Sequence, residues 1–190
     1  MSQLKNVFNN STPLENKFID PEAVLNQIGS IEGYKIADFG CGTGYFSIVA
    51  ARKIGASGTV WALDVLPQRL ESVKSQSKLE GLNNIITSRV NLEKIEGSKL
   101  EAESIDLVIM KDVLFQNGNK KVILEEAYRV AKKNGKALVI EWDEGQTAIG
   151  PNQNLRIAKA ELKNLAENIG WNLEKEIKTG NFHYGLLFIK

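Results

Sequence analysis

Ile36-Ala37-Asp38-Phe39-Gly40-Cys41-Gly42-Thr43-Gly44-Tyr45 joins a strand-like run to three alternating glycines and then to a helical pattern, with a carboxylate at the junction. Lacking Cβ, Gly40, Gly42 and Gly44 let the backbone leave a strand sharply and let a ligand approach the start of the next helix. A dinucleotide fingerprint requires Gly-x-Gly-x-x-Gly, and here Tyr45 stands where its last glycine would be. Asp38 argues in the same direction. A carboxylate at the mouth of such a loop repels a pyrophosphate and attracts a ligand bearing an ammonium or sulfonium charge.

S-adenosylmethionine carries both of those charges. Asp38 through Gly44 resembles motif I of the class I S-adenosylmethionine-dependent methyltransferases, acidic-x-Gly-x-Gly-x-Gly, at every fixed position. Two further segments carry the resemblance. Val60-Trp61-Ala62-Leu63-Asp64 is an apolar strand ending in a carboxylate at the spacing that places an acid on a cofactor ribose, where it can accept from both hydroxyls. Ile85 to Leu92 looks like the third strand and the adenine-contacting loop, with Asn91 where the family usually has Asp. An amide oxygen still accepts from an adenine amino group, and Leu92 is apolar enough to pack on the ring. Residue by residue, the resemblance implies cofactor contacts at Asp38, Phe39, Gly40, Cys41, Gly42, Gly44, Asp64, Val65, Asn91, Leu92 and Lys111.

Outward from the loop, strands and helices alternate, which predicts an α/β fold with a parallel sheet. The predicted strands are 35–39, 59–64, 85–90, 105–110 and 136–142, followed by a C-terminal pair at 171–178 and 184–189 that reads as a hairpin. Helices are predicted over 21–28, 45–54, 67–80, 120–132 and 154–169, with 93–103 left undecided and a turn at Asn134-Gly135. The resemblance implies the Rossmann-like class I methyltransferase fold: a seven-stranded sheet of order 3-2-1-4-5-7-6, its last strand antiparallel, with helices on both faces. The Gly40 loop, the Asn134-Gly135 turn and the ending Phe182 to Phe188 look most like the methyltransferase type 11 group, relatives of the ubiquinone and menaquinone biosynthesis methyltransferases.

Length and an ordinary apolar fraction suit one domain over 20–190, preceded by a polar arm, 1–19, whose Phe18-Ile19 pair is expected to fold over the cofactor as a lid. Lys plus Arg number 24 against 23 Asp plus Glu, so bulk charge does not call for nucleic acid. No apolar run reaches a membrane span and the first residues lack a signal-peptide core, so a cytoplasmic protein is expected. A single cysteine and a single histidine exclude an internal disulfide and leave no set for a protein-built structural zinc site, so no metal is expected.

In open α/β sheets the ligand crevice lies beyond the carboxyl ends of the strands. That points to Lys111, Asp112, Phe115, Gln116, Glu141, Trp142 and Asp143 on the acceptor side, roofed only by the arm and the 143–152 loop. If the last strand is antiparallel, its beginning lies on the same edge, which makes His183 the candidate general base; a hydrogen-bonded structural role is the competing reading. The expected reaction is in-line transfer to a small-molecule acceptor, leaving S-adenosylhomocysteine, and alignment alone can supply much of its rate. An RNA or protein acceptor, a binding protein without transfer activity and, more remotely, a nicotinamide dehydrogenase remain open.

Overall fold

The computed structural model describes residues 19–145 and 149–190. The N-terminal arm and Phe18 lie outside the described residues, apart from Ile19, which is buried against the first helix. Seven strands form one sheet in the order β3-β2-β1-β4-β5-β7-β6. They are β1 (Lys35–Phe39), β2 (Thr59–Asp64), β3 (Ile85–Arg89), β4 (Ile105–Lys111), β5 (Ala131–Trp142), β6 (Asn172–Ile177) and β7 (His183–Ile189). The first five run parallel, and β7 lies antiparallel to both β5 and β6. Parallel strands need crossovers, and α2 (Ser47–Ile54), α3 (Pro67–Leu79) and α4 (Lys120–Val130) supply three of them. The short α1 (Pro21–Asn26) precedes the sheet, and α5 (Lys159–Glu167) follows β5.

Strands buried on both faces read as continuous apolar runs, and β1 and β4 do so. Phe39, Val108 and Met110 face one cluster with Leu124, Leu162 and Trp171. Ile36, Leu107 and Ile109 face the other, with Leu25, Phe46 and Ile54. Each such fully buried side chain contributes about 1.5–3 kcal/mol, so the sheet centre is the rigid platform on which the loops stand. Among the described residues no helix is long and apolar enough to cross a membrane.

Four of the departures from the sequence expectation have a clear local reason. The helix expected from Tyr45 begins at Ser47, because Gly40, Gly42 and Gly44 all take positive φ (69°, 56° and 95°) and keep the chain in turns until Phe46. The undecided stretch 93–103 forms turns. Glu96, Lys99 and Glu103 sit at φ 54°, 59° and 51°, which no right-handed helix can include. Asn134-Gly135 is an irregularity inside β5: Ala131 pairs with Ile105, and regular pairing resumes at Lys136 opposite Leu107. The helix expected from Asn154 starts at Lys159, because Arg156 is tied to loop carbonyls, Ile157 is buried and Ala158 is extended.

Candidate active site

Two neighbouring cavities open beyond the carboxyl ends of β1, β2 and β4, sharing Gly40, Arg69 and Gln116 in their walls. The larger, about 670 Å³, is also lined by Asp38, Cys41, Gly42, Tyr45, Lys111, Asp112, Phe115, Trp142, Gly150 and Pro151. The smaller, about 160 Å³, has Asp64, Val65, Asn91, Leu92, Val113 and Asn117. The glycine loop sits between them. A Cβ on Gly40 would lie 2.7 Å from Val113 Cγ2, so a side chain there is excluded by space as well as by φ.

Asp38 is 2% exposed, and Ser47 Oγ donates to its Oδ2 at 2.5 Å. Burial, partly offset by Ser47 and reinforced by the like charge of Asp64, pushes its carboxyl up to about 6. No cation among the described residues pairs with it. Asp64, also buried, accepts at Oδ1 from the Leu66 amide (2.9 Å) and at Oδ2 from the Gly42 amide (3.0 Å), with Arg69 Nη1 at 3.5 Å. A carboxylate offers roughly four acceptor positions, so this arrangement leaves about one for a ribose hydroxyl rather than two unless Arg69 swings away. Asn91 Oδ1 accepts from the Glu93 amide at 3.0 Å, keeping a second lone pair for a ligand.

Two residues expected at the cofactor line neither cavity. Phe39 is fully buried in the core, since its side chain lies under the sheet's end rather than beyond it. Gly44 faces Val73, where an added Cβ would come within 3.1 Å of Cγ2; its role is packing α3 against the loop. Cys41 does line the larger cavity, but burial beside Asp38 and Asp64 pushes its thiol far above the ordinary range.

On the other side, Asp112 is held at φ 57°, a conformation rare for a residue with a side chain, which turns its carboxylate into the wall. Lys111 Nζ pairs with Asp112 Oδ2. His183 Nε2 lies 3.1 Å from Asp112 Oδ1, close as a charge contact but outside hydrogen-bond alignment. The antiparallel pairing of β7, with His183 opposite Trp142, thus brings the histidine to this edge. It stands behind Asp112, however, lining an adjacent shallow cavity rather than the large one. Sequence reasoning did not single out Arg69, Val113, Asn117 or Arg156. The first-turn position of Arg69 after Pro67 was a usable signal, whereas Arg156 had none. Its guanidinium donates to the carbonyls of Asp143, Gly145, Ile149 and Pro151 at 2.7–3.3 Å and lies 5.7 Å from the Trp142 ring, fastening the loop whose Gly150 rests on that indole.

Residues 30–186 match the family model described as "Methyltransferase domain". The chain belongs to that family. Its members' methyl donor is S-adenosylmethionine. A "SAM dependent methyltransferase" from Aquifex aeolicus superposes with TM-score 0.83 at 24% identity, covering 93% of each chain. This methyltransferase domain is 29% identical over 121 residues to demethylmenaquinone methyltransferase of Lactococcus lactis, covering 62% of this chain and 45% of that protein. It is 28% identical over 111 residues to arsenite methyltransferase of Mus musculus, covering 55% of this chain and 30% of that one. The domain therefore aligns with less than half the length of either relative.

Proposed function

We propose that this domain transfers a methyl group from S-adenosylmethionine to a small organic acceptor. The observation that carries the reading is Asp38: a buried carboxylate with a like-charged neighbour and no cationic partner among the described residues, facing a cavity large enough for a ligand. A bound cation relieves that arrangement, and the donor supplies one together with an electrophilic methyl on its sulfonium sulfur. Asp38 and the glycine loop hold the amino-acid end, while Asp64, Val65, Asn91 and Leu92 take the nucleoside end in the smaller cavity. Cys41, Gly42 and Lys111 complete the wall between donor and acceptor.

The acceptor enters between Lys111, Asp112, Phe115 and Gln116. As its O, N, S or C atom bonds to the methyl carbon, the carbon–sulfur bond breaks and its electron pair stays on sulfur. Any proton shed by the acceptor goes to water or to Asp112, the carboxylate at the wall, with His183 poised behind it. His183 acts in this reading through Asp112 rather than on the substrate.

A small acceptor is favoured because both cations in the larger wall are committed: Arg69 to Asp64 and Lys111 to Asp112. That leaves little for a phosphate backbone. Arsenite, the substrate in the mouse relative's name, is a poor candidate here, since a soft arsenic centre seeks thiolates and the sole cysteine keeps its proton. Incubation with methyl-labelled donor and a cell extract, fractionated by size, tests the proposal. Label in small molecules is expected; label in RNA or protein overturns the acceptor class, and no transfer together with no binding of S-adenosylhomocysteine overturns the reading.

A further inference from the structure

Glu141 is fully buried next to the last residue of β5 and lies in the wall of neither donor cavity. Its Oε1 accepts the Leu114 amide at 2.6 Å, and its Oε2 has no partner. Tyr184, directly across the β5–β7 pairing, gives its hydroxyl to the Ile157 carbonyl instead. A carboxyl so placed is costly to bury, which asks what it does.

The segment it grips is the one that walls the site. Leaving β4, residues 112–116 pass through the left-handed Asp112 and form the 3-10 turn Leu114–Gln116. Asp112, Phe115 and Gln116 face the larger cavity, and Val113 and Gln116 the smaller. Val113 is wedged under Gly40 of the donor loop. The opening amide of a helical turn has no acceptor within the turn, and the N-cap residue here, Val113, has none to offer. Glu141 provides it from the neighbouring strand.

We infer that Glu141 is a positioning residue for the transfer site, latching residues 112–116 to the end of β5 so that Asp112, Phe115 and Gln116 take their places in the cavity walls. This rests on the reading above that these cavities hold the donor and acceptor. A companion tie, from the Asp112 amide to the Ile140 carbonyl at 2.9 Å, fixes the start of the segment. Glu141 fixes its middle.

The carboxyl is faced by Asp112 from the end of β4 and by Tyr184 from β7, with Lys111 and His183 gathered around Asp112. Burial pushes it up to about 8, so at neutral pH the latch is mostly uncharged, and above that a charge builds beside Asp112. Glu141→Gln keeps the acceptor oxygen without the titration; Glu141→Leu removes the acceptor.

The test reads two quantities, hydrogen exchange of the 112–116 amides in the ligand-free protein and calorimetric affinity for S-adenosylhomocysteine, each at pH 7 and pH 9. Glu141→Leu is expected to speed exchange of this segment and weaken binding, each at least tenfold. Glu141→Gln is expected to match the wild type at pH 7 and to lose less affinity than the wild type at pH 9, where loss of the ligand's ammonium charge weakens both. Unchanged exchange in folded Glu141→Leu overturns the latch. Should Glu141→Leu not fold, Glu141→Asp, one methylene shorter and unable to reach the Leu114 amide, takes its place, and unchanged exchange there overturns the latch equally. Absence of S-adenosylhomocysteine binding to the wild type sinks the donor reading alone, since the exchange measurement still decides whether Glu141 holds the segment.

Discussion

The loop after β1 and the loop after β5 both wall the larger cavity, yet they are held by opposite means. The first is shaped by its own residues: glycines at positive φ bend it, and its ties run to the adjacent strand through the Leu63 carbonyl and the Asp64 carboxylate. It presents a carboxylate that pairs with no cation among the described residues. The second is shaped from a distance, by Arg156 reaching back to four carbonyls and by Gly150 lying against Trp142, whose ring also sits 4.1 Å from that of His183. Its Asp143 carboxylate accepts from the Gly145 amide, and its indole lies against Arg156 and His183. The loop after β1 thus leaves Asp38 open to a cation, whereas the loop after β5 contributes mainly shape to the cavity.

The largest expected break in this contrast comes from the buried acid near the end of β5. Glu141 has a folded-state value of about 8 against an ordinary 4.5, so the folded chain keeps its proton longer than the unfolded one. Stability from this group is fully present below about 4.5 and is lost as pH rises to about 8, by roughly 4 kcal/mol. Glu141→Gln is expected to flatten that decline in urea titrations across the same range. A Glu141→Gln curve as steep as the wild type's locates the pH dependence elsewhere.

Next comes Gly40→Ala, which places a Cβ 2.7 Å from Val113 at a φ of 69°. Strain of about 1–3 kcal/mol is expected in melting experiments, with donor binding reduced more than tenfold. Asp38→Asn tests the missing cation directly. Affinity for S-adenosylhomocysteine is expected to fall by about 2 kcal/mol, the value of a hydrogen bond to a charged group, and to lose its pH dependence. In the wild type a cationic ligand favours ionised Asp38, so affinity rises as pH climbs through about 6, with Asp64 the neighbouring charge that acts on that titration. Calorimetry from pH 5 to pH 7.5 checks both statements.

Arg156→Ala is expected to leave donor affinity within twofold and to slow methyl incorporation into the extract acceptor about tenfold, some 1.4 kcal/mol. Loss of donor affinity would show that the two loops are one unit. Asn91→Ala should be mildest, weakening S-adenosylhomocysteine by about threefold, or near 0.6 kcal/mol, because its amide oxygen is shared with Glu93.

The strands β1, β2 and β4 were legible because their apolar runs are contiguous in the chain, and the bend at Gly40 because steric limits on φ act on single residues. Phe39 and Gly44 line neither cavity for a matching reason: a motif marks where the backbone turns, not which neighbouring atoms face the cavity. His183 was placed on the correct edge by the antiparallel last strand, but its position behind Asp112 depends on a left-handed residue 71 positions earlier.

The amino-acid order alone determined the α/β alternation, the glycine bend with its acid and the family to which the chain belongs, since each rests on short-range periodicity and backbone sterics. Tertiary structure alone decided that Asp38 is buried with no cation paired to it among the described residues, that Arg156 is tied to the loop after β5 and that Glu141 grips Leu114. Burial and long-range hydrogen bonds depend on which surfaces the folded sheet brings together, and no local pattern encodes that.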